Sequence, residues 1–369
     1  MCRFEDASAK RLAQRLDGLP LALATAGAYL SQSADSFDDY LGLYNNSWGD
    51  LSLYSRGPVD YEERTLYSTW NVSFRQVRDQ DPAAAEFLKL IAYLDNQDLW
   101  YGLFHKDVSD APAWWIEVLE SRVRFNRAIS TLHNYSLLEV SAERYSLHTC
   151  EHDWTLEYLN AEFDQERCRI AIHCITANVS GESEAEYWVR NRRVLPHTRR
   201  FKHNRMKAAI DWSGIEPGDL HVLALLYRQN DMNAEAEEMY RRALDGYEKA
   251  WGPEHTSTLD TVNNLGNLYK NQGKHGEAEK MYRRALDGYE KAWGPDHPST
   301  LRTINNLRLL NASRGGHMKV EEIHSRALDR SDGAHDTNQH SQSPPSIRKA
   351  ILNKLKADMR RRKRGFAGQ

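Results

Sequence analysis

Apolar residues between positions 278 and 289 recur in steps of four, three, one and three: Ala278, Tyr282, Ala285, Leu286 and Tyr289. That spacing lays them on one face of an α-helix. Trp293-Gly294-Pro295 then ends the element, because glycine takes the left-handed cap and proline cannot continue a helix. Upstream, Leu259, Val262, Leu265, Gly266 and Tyr269 form a second stripe of helical period. The two stripes predict a helical hairpin. Gly266 lowers helix propensity by ~1 kcal/mol relative to alanine, so its place in the stripe predicts a close approach by another helix. The front half keeps the helical period with different punctuation. Gly18 ends a charged amphipathic helix, ASAKRLAQRLD, and Pro20 opens an apolar one, at the first turn where its missing N–H costs nothing. Two amphipathic helices flank Asp81-Pro82, which is a strong helix start. FNRAISTLHNYSLLEV predicts a helix running into a strand, SAER a turn and YSLH a returning strand. CEHDWTLEYLN begins a further helix, with His152-Asp153 in its first turn.

The hairpin is one of a series. Residues 236–257 and 278–299 are identical at 19 of 22 positions at an offset of 42, and a fixed period of this size means stacked supersecondary units. One period earlier, Leu223 and Tyr227 hold the places of Leu265 and Tyr269. One period later, Leu307, Ala327 and Leu328 persist, while Arg308 replaces the glycine and Asn311 the tyrosine. Three units follow, near 215–256, 257–298 and 299–331, the last degraded. The pattern Leu265-Gly266, Tyr269, Ala278, Tyr282 and Ala285 resembles the tetratricopeptide repeat. The 42-residue period and the closing WGPEH or WGPDH resemble its kinesin-light-chain variety. The resemblance covers about 115 residues. It implies a right-handed superhelix whose first helices line a concave groove for an extended peptide or a partner helix.

Away from the packed stripe of the first helix stand Asp260, Asn263, Asn267, Lys270 and Asn271, and Asn305 repeats Asn263 one unit later. The spacing predicts one exposed polar stripe. Asparagine offers both a donor and an acceptor, which suits a peptide backbone. These six are the candidate peptide-binding residues, with a plain solvated face as the alternative for any single asparagine.

The order of the front half also carries a resemblance. GLPL at 18–21, helices and a small hairpin near 64–148 that describe a winged helix, His-Asp at 152–153, and repeats downstream resemble the fungal NB-ARC/tetratricopeptide proteins. These are NLR-like signal-transduction ATPases. STWNVSF, AAAEFLKLIAYLD and YSLHTCEHDW are the stretches that carry the match. In that family the GLPL proline packs near adenine, which points to Pro20. The histidine of a Met-His-Asp motif touches the β-phosphate of ADP, which points to His152; Glu151 stands in the place of the methionine. No GxxxxGK[ST] occurs in the sequence, so it offers no loop of backbone N–H groups to cradle phosphates. Phosphoryl transfer depends on charge positioned around the phosphates and metal. The expectation is therefore a chain that is no enzyme and has no catalytic residue. ADP or ATP is expected only in a form with an upstream nucleotide-binding domain, and the chain reads as the back end of a nucleotide switch.

A length of 369 residues allows two or three domains. The expected order is 1–55 (helical subdomain carrying GLPL), 56–160 (winged helix ending in EHDW), 161–214 (helical linker), 215–331 (three repeats) and 332–369 (disordered basic tail). The fold class is mainly α: a helical subdomain and winged helix followed by a short tetratricopeptide α-solenoid. No apolar run reaches the ~18 residues that span a bilayer, and the four cysteines show no C-x-x-C spacing. Both fit a cytoplasmic protein without a membrane partner, with nuclear import through Arg360–Arg364 as an alternative. His148, Cys150 and His152 could share one side of a strand, but the order changes to helix there and no second ligand pair exists. No metal is expected. Cys168 and Cys174 read as buried helical cysteines. Residues 190–207 hold eight Lys or Arg and no acid, which makes nucleic acid a rival partner. Val194, Leu195 and Phe201 interrupt that run like inner positions of packed helices, so protein or peptide binding is preferred. The expected function is a protein-interaction and signalling module. A stand-alone repeat adaptor with a vestigial front, and a winged-helix DNA-binding regulator, are the alternatives. Three repeats, one degraded, lie near the minimum for a stable array, which predicts marginal stability.

Overall fold

The structure, a computed structural model, describes residues 7–54, 61–105, 107–181, 184–202 and 209–313. The expected second helix of the third repeat, with Ala327 and Leu328, lies outside the described residues, as do the basic tail with Arg360–Arg364 and Cys2. Contacts divide the chain into two compact units, Met1–Ile175 with Leu195–Ile210 and Thr176–Val194 with Asp211–Gln369. The segment 161–214, expected as a linker, thus contributes to both.

In the first unit, α1 (Ala7–Arg15) turns into α2 (Pro20–Gln32) through Asp17 and Gly18, both at positive φ. Gly18 N–H donates back to Ala13 O at 3.1 Å, the C-terminal closure that a left-handed residue permits. Then come α3 (Phe37–Tyr54), α4 (Tyr61–Gln80) and α5 (Pro82–Ile91). Asp81 caps α5 by accepting from Ala84 N–H at 3.1 Å, and it also receives two bonds from Arg124, at 2.7 and 2.9 Å. Arg124 belongs to α7 (Arg122–Asn134), which follows the short α6 (Ala113–Val118). One carboxylate thus starts one helix and ties another to it. Phe87, Phe104, Trp115 and Phe125 pack edge to face beneath this tie, burying the large apolar area that dominates the stability of a core.

The expected hairpin follows α7. β1 (Glu139–Ser141) pairs antiparallel with β2 (Arg144–Ser146), Val140 opposite Tyr145, across Ala142 at positive φ. Leu99 adds an isolated antiparallel bridge on the other side of β2, exchanging bonds of 3.0 and 2.8 Å with Tyr145. Next come α8 (Thr149–Trp154), a single π turn over Thr155–Leu159, and α9 (Gln165–Ala177). Cys168 and Cys174 are buried in α9.

The second unit holds α10 (Tyr187–Val194) and the repeats: α11 (Pro217–Gln229), α12 (Asn233–Trp251), α13 (Thr256–Asn271), α14 (His275–Trp293) and α15 (Pro298–Ser313). The two predicted stripes form the buried faces, except that Leu286 is only half-buried. Leu259, Val262, Leu265, Tyr269, Ala278, Tyr282, Ala285 and Tyr289 all lie inside. Gly266 is where the hairpin is tightest: a Cβ there would stand 2.8 Å from the Tyr282 ring. Gly252 and Gly294, at φ +90° and +85°, end α12 and α14. The WGP-x-His segment also starts the next helix. His255 and His297 accept from Ser257 and Ser299 N–H at 3.2 Å, and their rings pack on Trp251 and Trp293.

Candidate functional site

The first helices of the repeats, α11, α13 and α15, stand at intervals of 42 residues, and their polar residues meet in register. His221 of α11 makes two bonds to α13, Nδ1 to Thr261 Oγ1 at 2.9 Å and Nε2 to Asn264 Nδ2 at 3.2 Å. One period later Asn263 of α13 meets α15, its Oδ1 accepting from Thr303 Oγ1 at 3.3 Å and from Asn306 Nδ2 at 3.2 Å. Positions 221 and 263, 261 and 303, and 264 and 306 are all one period apart. Within the second unit, Thr176 Oγ1 also donates to Asp219 Oδ1 of α11 at 2.6 Å. Each junction between first helices therefore carries a buried polar rung, and a buried polar group holds its place only when its partner does.

These rungs correct the expected open stripe. Asn263 is 2% exposed and belongs to a junction. Asn267 accepts from the Tyr282 hydroxyl at 2.8 Å, within its own hairpin. Asp260, half-buried, accepts from the Tyr289 hydroxyl at 2.5 Å; burial and the adjacent Asp260 push that hydroxyl up, so it remains the donor. The helical period placed the three opposite the apolar stripe, but a first helix in a stack has its own second helix and the next first helix as neighbours. Two contacts leave a narrower open arc than one would. What stays open on that arc is Asn271 and Asn305, with Lys270 half-buried beside them. Asn305 accepts from Arg308 at 3.1 Å, and Arg302 and Arg308 are exposed on the same helix. His221 was missed as a site residue. Its signal was available, since a shift of one period aligns it with Asn263.

His221 is fully enclosed, with the Tyr240 ring edge-on at 5.5 Å. Burial pushes its pKa down to about 4; Asp260 opposes the shift and Arg228 adds to it. The Thr261 hydroxyl donates to Ser257 O at 2.8 Å, so it accepts from His221 Nδ1–H and leaves Nε2 to accept from Asn264. The neutral ring is the form that fits.

In the first unit, Pro20 is exposed at the start of α2. His152 is inside: 3% exposed, with Nε2 at 3.4 Å from Ile91 O at the end of α5. Burial, and then the charge of Arg200, push its pKa down to about 3. Glu151 is buried as well, and burial followed by the charge of Glu139 pushes its carboxyl up. His148 caps α8, accepting from Cys150 N–H, while Cys150 is exposed. The three residues of the metal reading thus point to different surroundings. Among the described residues no group of three or more His, Cys, Asp or Glu is placed to hold a metal ion, and no helix is long and apolar enough to cross a membrane.

The basic stretch is divided. Arg200 is largely buried, donating from Nε to Ala92 O at 3.3 Å and lying 3.5 Å from Asp153. Arg190 pairs with Glu184 at 3.2 Å. Of the three expected inner positions, Val194 and Phe201 are buried and Leu195 is half-buried. Arg192 and Arg199 are exposed, and residues 203–207 of the stretch lie outside the described residues.

Residues 220–291 and 263–332 match the family model of the tetratricopeptide repeat. Over 290 residues the chain is 25% identical to a nucleotide-binding leucine-rich repeat (NLR)-like protein of Hyaloscypha variabilis, across 70% of this chain and 26% of that one. The chain therefore spans about a quarter of that relative's length. Among solved structures, BtubC (BKLC) from P. vanneervenii is 16% identical with a TM-score of 0.34, covering 78% of this chain and 98% of its own. A Podosopora anserina protein of nearly identical TPR-like repeats is 15% identical with a TM-score of 0.31, covering 70% and 97%. The chain carries tetratricopeptide repeats and is similar to an NLR-like protein.

Proposed function

We propose that the chain is a protein-interaction module, the sensing and regulatory back end of an NLR-like nucleotide switch, which binds a protein or peptide along the first helices of its repeats. Repeats of this family serve as protein-interaction scaffolds, and the observation that supports a site here is the open arc of α13 and α15. There Lys270, Asn271 and Asn305, with Arg308, stand on the open side, while Arg302 of α15 lies 3.9 Å from Asp260 of α13. The cations give that arc a preference for acidic or C-terminal carboxylate-bearing peptides, since charge complementarity sets partner choice. Asn263 and Asn267 act indirectly, by fixing the spacing of the helices.

The test uses peptides selected from a displayed library against the full chain. Substituting Lys270, Asn271 and Asn305 together by alanine is expected to weaken the selected peptides at least roughly tenfold, about 1.4 kcal/mol. Unchanged affinity in that variant would remove the groove reading. In the switch reading Pro20 and His152 contact nucleotide held by an upstream domain. For His152 this requires the ring to give up Ile91 O, so titrating ADP into the full chain is expected to leave the His152 ring resonances unmoved unless that domain is present.

A further inference from the structure

The second unit contains a cavity of about 400 Å³ at the start of the array, lined by Trp212, Ile215, Pro217, Leu220, Arg242 and Lys249 among others. A shift of one period gives the comparison. In the second repeat Leu259 packs on Gly288, where an added Cβ would stand 2.5 Å from Leu259 Cδ2. In the first repeat Pro217 holds the place of that leucine, against Gly246. Pro217 packs against Gly246 nearly as closely, 2.7 Å from an added Cβ, and the cavity opens beside that proline.

The charges around the cavity follow the same shift. Arg284 and Lys291 of the second repeat reach back across the junction to the first: Arg284 donates to Glu248, and Lys291 to Glu254 at 3.0 Å. The same two cations in the first repeat are Arg242 and Lys249, and the residues one period before the two glutamates are Met206 and Trp212. Position 212 thus offers an indole instead of a carboxylate. Arg242 lies over that indole at 5.5 Å and bonds to Glu238 at 2.8 Å; Lys249 pairs with Asp245 at 2.7 Å. Both cations keep solvent-exposed side chains, 40% and 74%, and among the described residues they pair only within their own helix, so a partner carboxylate would replace Glu238 and Asp245 there.

We propose that this cavity and its two cations dock an acidic helix end of a partner protein. That segment has two carboxylates six residues apart, near large apolar side chains that enter the cavity. The carboxylate spacing is the one this chain presents at its own next junction, in Glu248 and Glu254. Carboxylate pairing at Arg242 and Lys249 supplies register, and the apolar walls supply the buried area. The site is separate from the open arc of α13 and α15 and does not depend on it.

The probe is a synthetic peptide of residues 244–259, LDGYEKAWGPEHTSTL, titrated calorimetrically into the full chain at low salt, where charge pairing is least screened. Saturable binding is expected, and glutamine in both glutamate places is expected to weaken it at least roughly tenfold. The double variant Arg242→Glu with Lys249→Glu is expected to lose the native peptide and to take a peptide with lysine in both glutamate places. Both positions are exposed, so folding is checked by circular dichroism and is expected to be retained. No binding up to about 1 mM peptide, equal affinity for the glutamine peptide, or no exchange of preference in the double variant would each overturn the proposal. Self-association of the unmodified chain that the double variant abolishes would overturn it too, by assigning the face to a second copy.

Discussion

His221 does with an imidazole what Asn263 does with an amide, and the exchange makes one junction sensitive to acid. Its folded pKa of about 4 lies below the ordinary value of 6.5, so the unfolded chain binds the extra proton first as pH falls. The stability it contributes is present above 6.5 and is lost progressively between 6.5 and 4. Protonated Nε2 could no longer accept from Asn264, which is the structural face of the same statement. Replacing His221→Asn installs the amide of the second rung. Between pH 7 and pH 5 that variant is expected to lose about 2 kcal/mol less stability than the unmodified chain, measured by urea unfolding at each pH. Equal losses would mean that the rung does not titrate in this range. His152 has a depressed pKa too, so the difference between the two proteins, rather than either curve alone, carries the test.

At the scale of the element, the hairpins are set by small residues and by the segments between helices. Gly266 costs helix propensity but accepts the Tyr282 ring, and adding one methyl group there demands that buried aromatic or backbone atoms move. Gly266→Ala is therefore expected to destabilise by ~1–2 kcal/mol despite the better propensity of alanine, seen as a lower urea midpoint at unchanged slope. Stabilisation would mean that the hairpin relaxes freely around residue 266. The same scale explains what the WGP-x-His segment does twice over. Its glycine ends one helix, its histidine caps the next, and the Thr258 and Thr300 hydroxyls donate to the carbonyls of Gly252 and Gly294 at 2.9 Å. A terminator alone was legible in the sequence. The caps needed the chain's path after the glycine.

At the scale of the whole molecule, two compact units of unequal character share one chain. The first is built on a cross-linked aromatic core. The second is a stack whose stability is a sum of repeat and junction terms. Such a chain is expected to unfold over a broad range, with a van't Hoff enthalpy below the calorimetric enthalpy. One sharp transition with equal enthalpies would show that the units fold as a single cooperative body.

The apolar periods and the 42-residue identity determined the helices, the hairpin after α7 and the repeats, because burial of a face requires the same residue type at every helical turn. Punctuation such as Asp81-Pro82 and Trp293-Gly294-Pro295 fixed ends, because it acts through local backbone geometry. The polar residues were different. Asn263, Asn267 and Asp260 share the spacing of an exposed stripe with Lys270 and Asn271, yet three are taken by neighbouring helices and two are not. A helical wheel knows one direction of burial. A stacked hairpin has several, and only the packed chain decides which polar residue is a rung and which is left for a partner. The cavity beside Pro217 belongs to the same class of fact: the sequence shows proline where the next repeat has Leu259, but only the packing shows an open space there.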